Sequence, residues 1–307
     1  MSLIVVGTMA YDAIETPFGK TDKIVGGSAT YAAYAASFFA KPIQQISIVG
    51  NDFDEAVMED MRSRGVMTEG VEVVADKPSF FWSGRYHLDM NTRDTLVTDL
   101  NVLADFNPVV PDVYQGSEFL MLGNLMPKIQ KSVIEQLKER PKLIVMDTMN
   151  FWMETAWDDL MKNLKLIDVL LVNDSEARQL TGEFSLVKAA RKILAMGPKY
   201  LIIKKGEHGA MLFYDGHVFY APALPLEDVF DPTGAGDTFA GGFIGYLANS
   251  ADISFENMKS AIIVGSAMAS FCVEKFGPQR MQELTREELE DRIQQFVDLV
   301  QFEIELG

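Results

Sequence analysis

From Asp231 to Gly242 the chain reads Asp-Pro-Thr-Gly-Ala-Gly-Asp-Thr-Phe-Ala-Gly-Gly, which sets a small-residue turn, a carboxylate and an apolar run in register. Gly234, Ala235 and Gly236 carry little or no side chain, so backbone N–H groups there can approach an anion closely. The apolar run to about Leu247 predicts a helix whose positive dipole end points at the same spot. Asp237 falls in its first turn, where the carboxylate can take a proton from a hydroxyl held against the cradle. A base beside an anion cradle implies phosphoryl transfer to an alcohol. Turn chemistry explains Pro-Thr-Gly, and close helix packing explains Ala240, Gly241 and Gly242, but neither asks for Asp231, Thr233 and Asp237 around that turn. Two other glycine motifs fail. A dinucleotide fingerprint needs glycine where Phe239 stands, and Gly19-Lys20-Thr21 has Ile14 where a P-loop needs glycine.

The string resembles the signature of the PfkB, or ribokinase-like, family of carbohydrate and nucleoside kinases. Further blocks carry the resemblance along the chain: Gly7-Thr-Met-Ala-Tyr-Asp12, Gly26-Gly27-Ser28-Ala29, Val49-Gly50-Asn51-Asp52 with Arg64-Gly65-Val66, Asn173-Asp-Ser-Glu176, and Lys205-Gly-Glu-His-Gly209. The resemblance implies that Asp237 is the general base and that the amides of Gly234, Ala235 and Gly236 stabilise the transferring phosphoryl group. It places Asn173 and Glu176 at Mg²⁺ through waters. Helix capping, with Asn173 as N-cap and Glu176 at the third position, is a second reading of that pair, and both can hold. Lys205, Gly206 and Gly209 would lie beside the ribose and phosphates of ATP. Asp231 and Thr233 would bind a monovalent cation such as K⁺, with the loop Lys275 to Gln279 closing the other side.

On the acceptor side, Asp12, Gly26, Gly27 and Ser28 resemble groups that hold sugar hydroxyls, and Arg85, Asn91 and Arg93 can read further hydroxyls or a phosphate. Ser28 and Tyr31 stand where ribokinases carry lysine and asparagine, and Asp147 and Asn150 are spaced one residue wider than the family pattern. The implied activity is ATP-dependent phosphorylation of a hydroxymethyl group on a small sugar or sugar-containing metabolite. A nucleoside kinase on the same scaffold is the alternative, and a catalytically idle ligand sensor is the reading from another class.

These residues need a scaffold. Leu3 to Gly7, Gln45 to Val49, Phe119 to Leu122, Leu143 to Met146, Val169 to Val172 and Tyr200 to Ile203 read as buried strands alternating with helices. That rhythm predicts a single α/β domain over 1–307, ribokinase-like by resemblance, with a mostly parallel central sheet covered on both faces. Residues 11–25 and 76–100 break the rhythm with polar and aromatic alternation suited to antiparallel strands, and the resemblance implies a small β lid there. The aromatics Phe81, Trp82 and Tyr86 offer a surface for a homodimer through the lid. Thr285 with Glu288 forms a capping-box pattern, followed by a stripe of Leu289, Ile293, Phe296, Val297 and Val300 expected to meet the core.

A net charge of −17 opposes nucleic acid and acidic membranes, so a bound nucleotide needs local donors or a divalent cation. Cys272, the one cysteine, excludes an internal disulfide and fits a reducing compartment. No histidine has a partner at zinc-ligand spacing. The apolar run Ala261 to Val273 is shorter than a bilayer demands and reads as a buried helix. Met1-Ser2-Leu3 leads into the first strand without a basic leader, which with the lone cysteine predicts a cytoplasmic enzyme.

Overall fold

The computed structural model describes residues 1–301 and 303. In chain order the strands are β1 Leu3–Val6, β2 Ala10–Thr16, β3 Gly19–Lys20, β4 Ile24–Gly26, β5 Ile43–Gly50, β6 Val66–Val74 and β7 Phe80–Tyr86. They continue with β8 Arg93–Asp99, β9 Phe119–Leu122, β10 Leu143–Asp147, β11 Val169–Asn173, β12 Tyr200–Lys204, β13 Ala210–Tyr214 and β14 His217–Ala221. One nine-stranded sheet runs β14-β13-β12-β11-β10-β9-β1-β5-β6. Neighbours from β12 through β6 are parallel, and β13 and β14 add an antiparallel edge.

Alternation along the strands feeds two cores, because successive side chains point to opposite faces. Leu3, Val5, Phe119, Met121, Val145 and Leu171 face one cluster, packed under the helices Ser28–Ala36, Ala235–Ser250 and Phe255–Cys272. Ile4, Val6, Leu120, Leu122, Ile144 and Leu170 face the other, under helices that include Trp157–Leu164 and Leu186–Met196. Strands buried on both faces read as continuous apolar runs, which is why the central ones are legible in sequence. At the edge, β6 mixes Glu69, Gly70 and Glu72 among its valines, and no apolar run marks it.

A second sheet of order β3-β2-β7-β8, with β4 also on β2, stands over the C-terminal ends of the main strands and holds the two segments expected to form the lid. The expectation of antiparallel pairing holds for β7 with β8 but not for β2 with β7, which are parallel. The reason lies in the main sheet. β2 follows β1 and β7 follows β6, and these two parallel-running strands deliver the chain to the same sheet edge in the same direction.

The run Ala261 to Val273 lies in the buried helix Phe255–Cys272. The final helix, Arg286–Val300, has the Thr285–Glu288 capping box. Leu289 and Phe296 reach the core, but Val297 and Val300 are 44% and 47% exposed and correct the expected stripe. Spaced at 289, 293 and 296, one narrow face is enough to dock the helix. Among the described residues no helix is long and apolar enough to cross a membrane.

Candidate active site

Gly234 adopts a left-handed conformation (φ 76°, ψ −3°) and starts the helix Ala235–Ser250. The Asp231 carboxylate shapes the approach: Oδ1 accepts from the Thr233 amide at 2.9 Å and Oδ2 from the Gly277 amide at 3.0 Å. Asp231 is fully buried, and burial pushes its pKa up while the Gly277 and Thr233 amides oppose the shift. Of the three expected cradle amides, that of Ala235 is taken by the Pro232 carbonyl at 3.2 Å. Those of Gly234 and Gly236 donate to no acceptor among the described residues. Two free amides at a helix N-terminus make an anion cradle.

Asp237 lies one residue further on. Its carboxylate forms no salt bridge with any of the described residues. Burial and then the negative charge of Asp147 raise its pKa to about 7, against the pull of Lys204 and Arg93. That value suits a base working near neutral pH.

The floor of the cleft comes from strand ends. Asp147, Asn173 and Lys204 are the last residues of β10, β11 and β12, and Asn173 is paired in register with Lys204. Asn173 and Glu176 form a full capping box: Asn173 Oδ1 accepts from the Glu176 amide at 2.8 Å, and Glu176 Oε2 from the Asn173 amide at 2.7 Å. The capping reading of this pair is therefore present in the structure. Glu176 is buried, and burial with the Asp147 charge lifts its pKa to about 7.

Lys204 donates to Asp147 Oδ2 at 2.9 Å, and a β-carbon on Gly236 would lie 3.0 Å from its ammonium nitrogen. Lys205, the lysine the sequence singled out, turns the other way and sits 5.5 Å from the Tyr220 ring centroid. Alternation at a strand end decides between two consecutive lysines, and it sends Lys204 inward. Beside it a cavity of about 470 Å³ runs from Lys204, Gly206, Gly209 and Gly236 to an apolar wall that includes Leu224 and Phe239.

Within reach of the Asp237 charge, Asp12 packs against Gly26 with 4% exposure and no donor among the described residues. Burial, then Asp231 and Asp237, push its pKa to about 8, with Arg93 opposing. Gly27 (φ 96°) brings the chain onto the Thr8 carbonyl, where any side chain would clash. Ser28 is occupied: its Oγ accepts from the Thr8 amide at 3.1 Å, and its own amide donates to Thr8 Oγ1 at 3.0 Å. Ser28 therefore ties the glycine turn to the first strand.

The small sheet sorts its polar residues differently from the sequence expectation. Arg85 lies on the outer face of β7 in an ion pair with Glu15 at 2.8 Å, away from the cleft. Its neighbour Tyr86 is 5% exposed, so it is no free lid aromatic, and it accepts from the Thr233 hydroxyl at 3.2 Å. Asn91 lines the cavity against Gly206. Arg93 stands at the open mouth, 5.5 Å from the Trp82 ring centroid, with its charge acting on Asp12, Glu176 and Asp237. Cys272 is buried, its thiol facing the Thr233 carbonyl at 3.6 Å, and burial pushes its pKa to about 12.

A profile of the pfkB family carbohydrate kinases matches residues 2–285. The chain belongs to the PfkB family. Among relatives of this PfkB kinase, a cytidine kinase of Thermococcus kodakarensis is 28% identical, covering 80% of this chain and 87% of its own. A ribokinase of Bacillus subtilis is 27% identical over 95% of each chain. In three dimensions, a nucleoside kinase of Burkholderia thailandensis in complex with inosine superposes with a TM-score of 0.77 at 23% identity, covering 95% of this chain and 96% of that one. A ribokinase structure from Thermotoga maritima superposes with a TM-score of 0.74 at 21% identity, covering 96% of this chain and 99% of that one. The fold is that of the ribokinases. As a PfkB-family kinase the protein is a phosphotransferase acting on an alcohol group of a sugar or nucleoside.

Proposed function

We propose that this kinase moves the γ-phosphoryl group of ATP to a hydroxymethyl group of a neutral sugar or nucleoside. One observation carries the reading: the Asp237 carboxylate, with no salt-bridge partner among the described residues, follows directly on the free amides of Gly234 and Gly236, with Gly236 lining the cavity and the Asp237 charge acting on Asp12. The apolar end of the cavity takes the adenine, and the phosphates run along Gly206 to Gly236. Asp12 accepts acceptor hydroxyls, as a carboxylate with free lone pairs can. Neutrality follows from charge: Asp12, Asp147, Asp237 and Glu176 gather there against Arg93 and Lys204. An acceptor bearing its own phosphate or carboxylate would add to that excess.

The small sheet acts as the lid over the acceptor and excludes water. Mg²⁺ fits the donor set. Glu176 and Asn173 would supply oxygen donors through waters, with the Asp147 charge acting on Glu176, in the way this ion is held next to substrate phosphates. When bound it neutralises phosphate charge. K⁺ fits beside Asp231, a buried carboxylate that meets two amides and no cation among the described residues. Pairing of two copies through the lid is supported by Leu96, Val97 and Leu100, which its outer edge leaves exposed. A cytoplasmic location belongs to the same reading, since ATP and K⁺ are supplied there.

The nucleoside reading draws on the cytidine kinase and nucleoside kinase relatives. The test is ADP release with Mg²⁺-ATP across free sugars, nucleosides and phosphorylated sugars, with K⁺ and with Na⁺. Turnover confined to neutral acceptors is expected. Turnover only with phosphorylated or acidic acceptors would refute the reading.

A further inference from the structure

Thr233 is held at its amide, its carbonyl and its hydroxyl, and the last of these is held from the small sheet. The amide donates to Asp231 Oδ1 at 2.9 Å, and the carbonyl faces the Cys272 thiol at 3.6 Å. The hydroxyl donates to the Tyr86 hydroxyl at 3.2 Å, across 147 positions of sequence. Tyr86 lies in β7 and is buried, so its ring is fixed where the small sheet meets the main domain. The same sheet packs on the segment next to Asp231 through Phe18, whose ring centroid is 5.7 Å from that of Phe230. At Tyr86 the contact is polar and therefore directional. Tyr86 lies outside every block of the family resemblance.

What Thr233 controls is its neighbour. The Thr233 carbonyl and the Gly234 N–H are two ends of one planar peptide unit, so whatever orients the carbonyl orients the N–H as well. That N–H is one of the two free amides of the cradle. Gly234, at φ 76°, has no β-carbon to restrict its own turn, and the direction of the peptide unit must be imposed from outside. Cys272 holds it at the carbonyl and Tyr86 through the hydroxyl. Arg93, the cation at the cleft mouth, is the cross-strand partner of Tyr86, so one pair of residues in β7 and β8 reaches both the mouth and the cradle.

Resting on the kinase reading above, we infer that Tyr86 is a positioning residue: by holding Thr233 it sets the direction of the Gly234 N–H and keeps the cradle shaped for the transferring phosphoryl group while the small sheet covers the cleft. It touches neither substrate in this role. Its effect belongs to the moment when charge builds on the transferring group, where the aim of a donor counts most.

Titration calorimetry measures binding of Mg²⁺-ADP with and without aluminium fluoride, which takes the place of the transferring group beside ADP. The ratio of the two affinities reports on the cradle. Tyr86→Phe keeps the ring and removes only the hydroxyl. It is expected to lower that ratio about 3- to 10-fold, with the affinity for ADP alone within about twofold. With an accepted acceptor, kcat should fall by about the same factor while both KM values stay within about twofold. Thr233→Val removes the other half of the contact, and adding Tyr86→Phe to it should lower the ratio no further, because both act through one bond. If Tyr86→Phe does not fold, Tyr86 is replaced by 3-fluorotyrosine, which keeps the hydroxyl, and its ¹⁹F signal is expected to move when aluminium fluoride joins ADP. A ratio unchanged in Tyr86→Phe, effects that multiply in the double variant, or a fluorine signal indifferent to aluminium fluoride overturns the inference. Absence of turnover with every acceptor would sink the kinase reading, while the binding ratio would still judge Tyr86.

Discussion

Gly234 rests against the ring of Tyr31: a β-carbon at position 234 would come within 2.5 Å of three ring carbons. The turn thus needs glycine twice, once for its φ of 76° and once for this contact. Gly234→Ala is expected to lose about 1–3 kcal/mol of stability. That corresponds to a fall in melting temperature of about 2–4 °C per kcal/mol, or somewhat less for a chain of this size. The Tyr31 hydroxyl is buried with no partner among the described residues. Tyr31→Phe should leave the melting temperature unchanged or raise it, since an unsatisfied buried hydroxyl is costly. A clear loss of stability would reveal a partner.

Asp237 is expected to set the alkaline rise of activity. Its carboxyl is held at about 7 by burial and by Asp147, and only the deprotonated form accepts the acceptor's proton. Turnover should therefore climb as pH rises through about 7 and level off above it. Asp237→Asn should lower kcat by about 10²–10⁴ and remove that limb, with ATP affinity retained. A pH–rate profile with calorimetry on both proteins checks it.

Asp12 couples function to stability with the opposite pH sense. Its folded pKa, about 8, lies above the ordinary carboxylate value of 3.8, so the folded state binds the extra proton between those pH values. The stability from that proton is fully present below the unfolded pKa and is lost as pH rises through the folded one. At pH 9, Asp12→Asn should melt higher than the wild type, and near pH 4 the advantage should vanish. The same change should raise the acceptor KM and leave that of ATP in place.

The small sheet allows a three-way comparison. Arg85→Ala removes an ion pair at the surface and is expected to leave kcat/KM within about twofold, because such pairs contribute little. Arg93→Ala removes the cation at the cleft mouth and should lower kcat/KM for the acceptor. Asn91→Ala should raise the KM for ATP and spare that of the acceptor, since Asn91 lines the nucleotide cavity. Steady-state kinetics with both substrates varied distinguishes the three.

Local chemistry made much of this protein readable from its sequence. The Gly234–Asp237 turn, the Asn173–Glu176 capping box and the doubly buried strands are each specified by residues within a few positions of one another. Spacing alone carries such features, because backbone geometry and helix termini impose them locally. The side on which each polar residue falls was settled by the tertiary structure. Lys204 faces the cleft while Lys205 does not, and Arg93 lies at the mouth while Arg85 pairs with Glu15 outside. Side chains alternate along a strand, so one step of register exchanges inside for outside, and register is set by partners distant in the chain. The raised pKa values of Asp12, Glu176 and Asp237 likewise need the fold, which gathers carboxylates from separate strand and helix ends into one desolvated cleft.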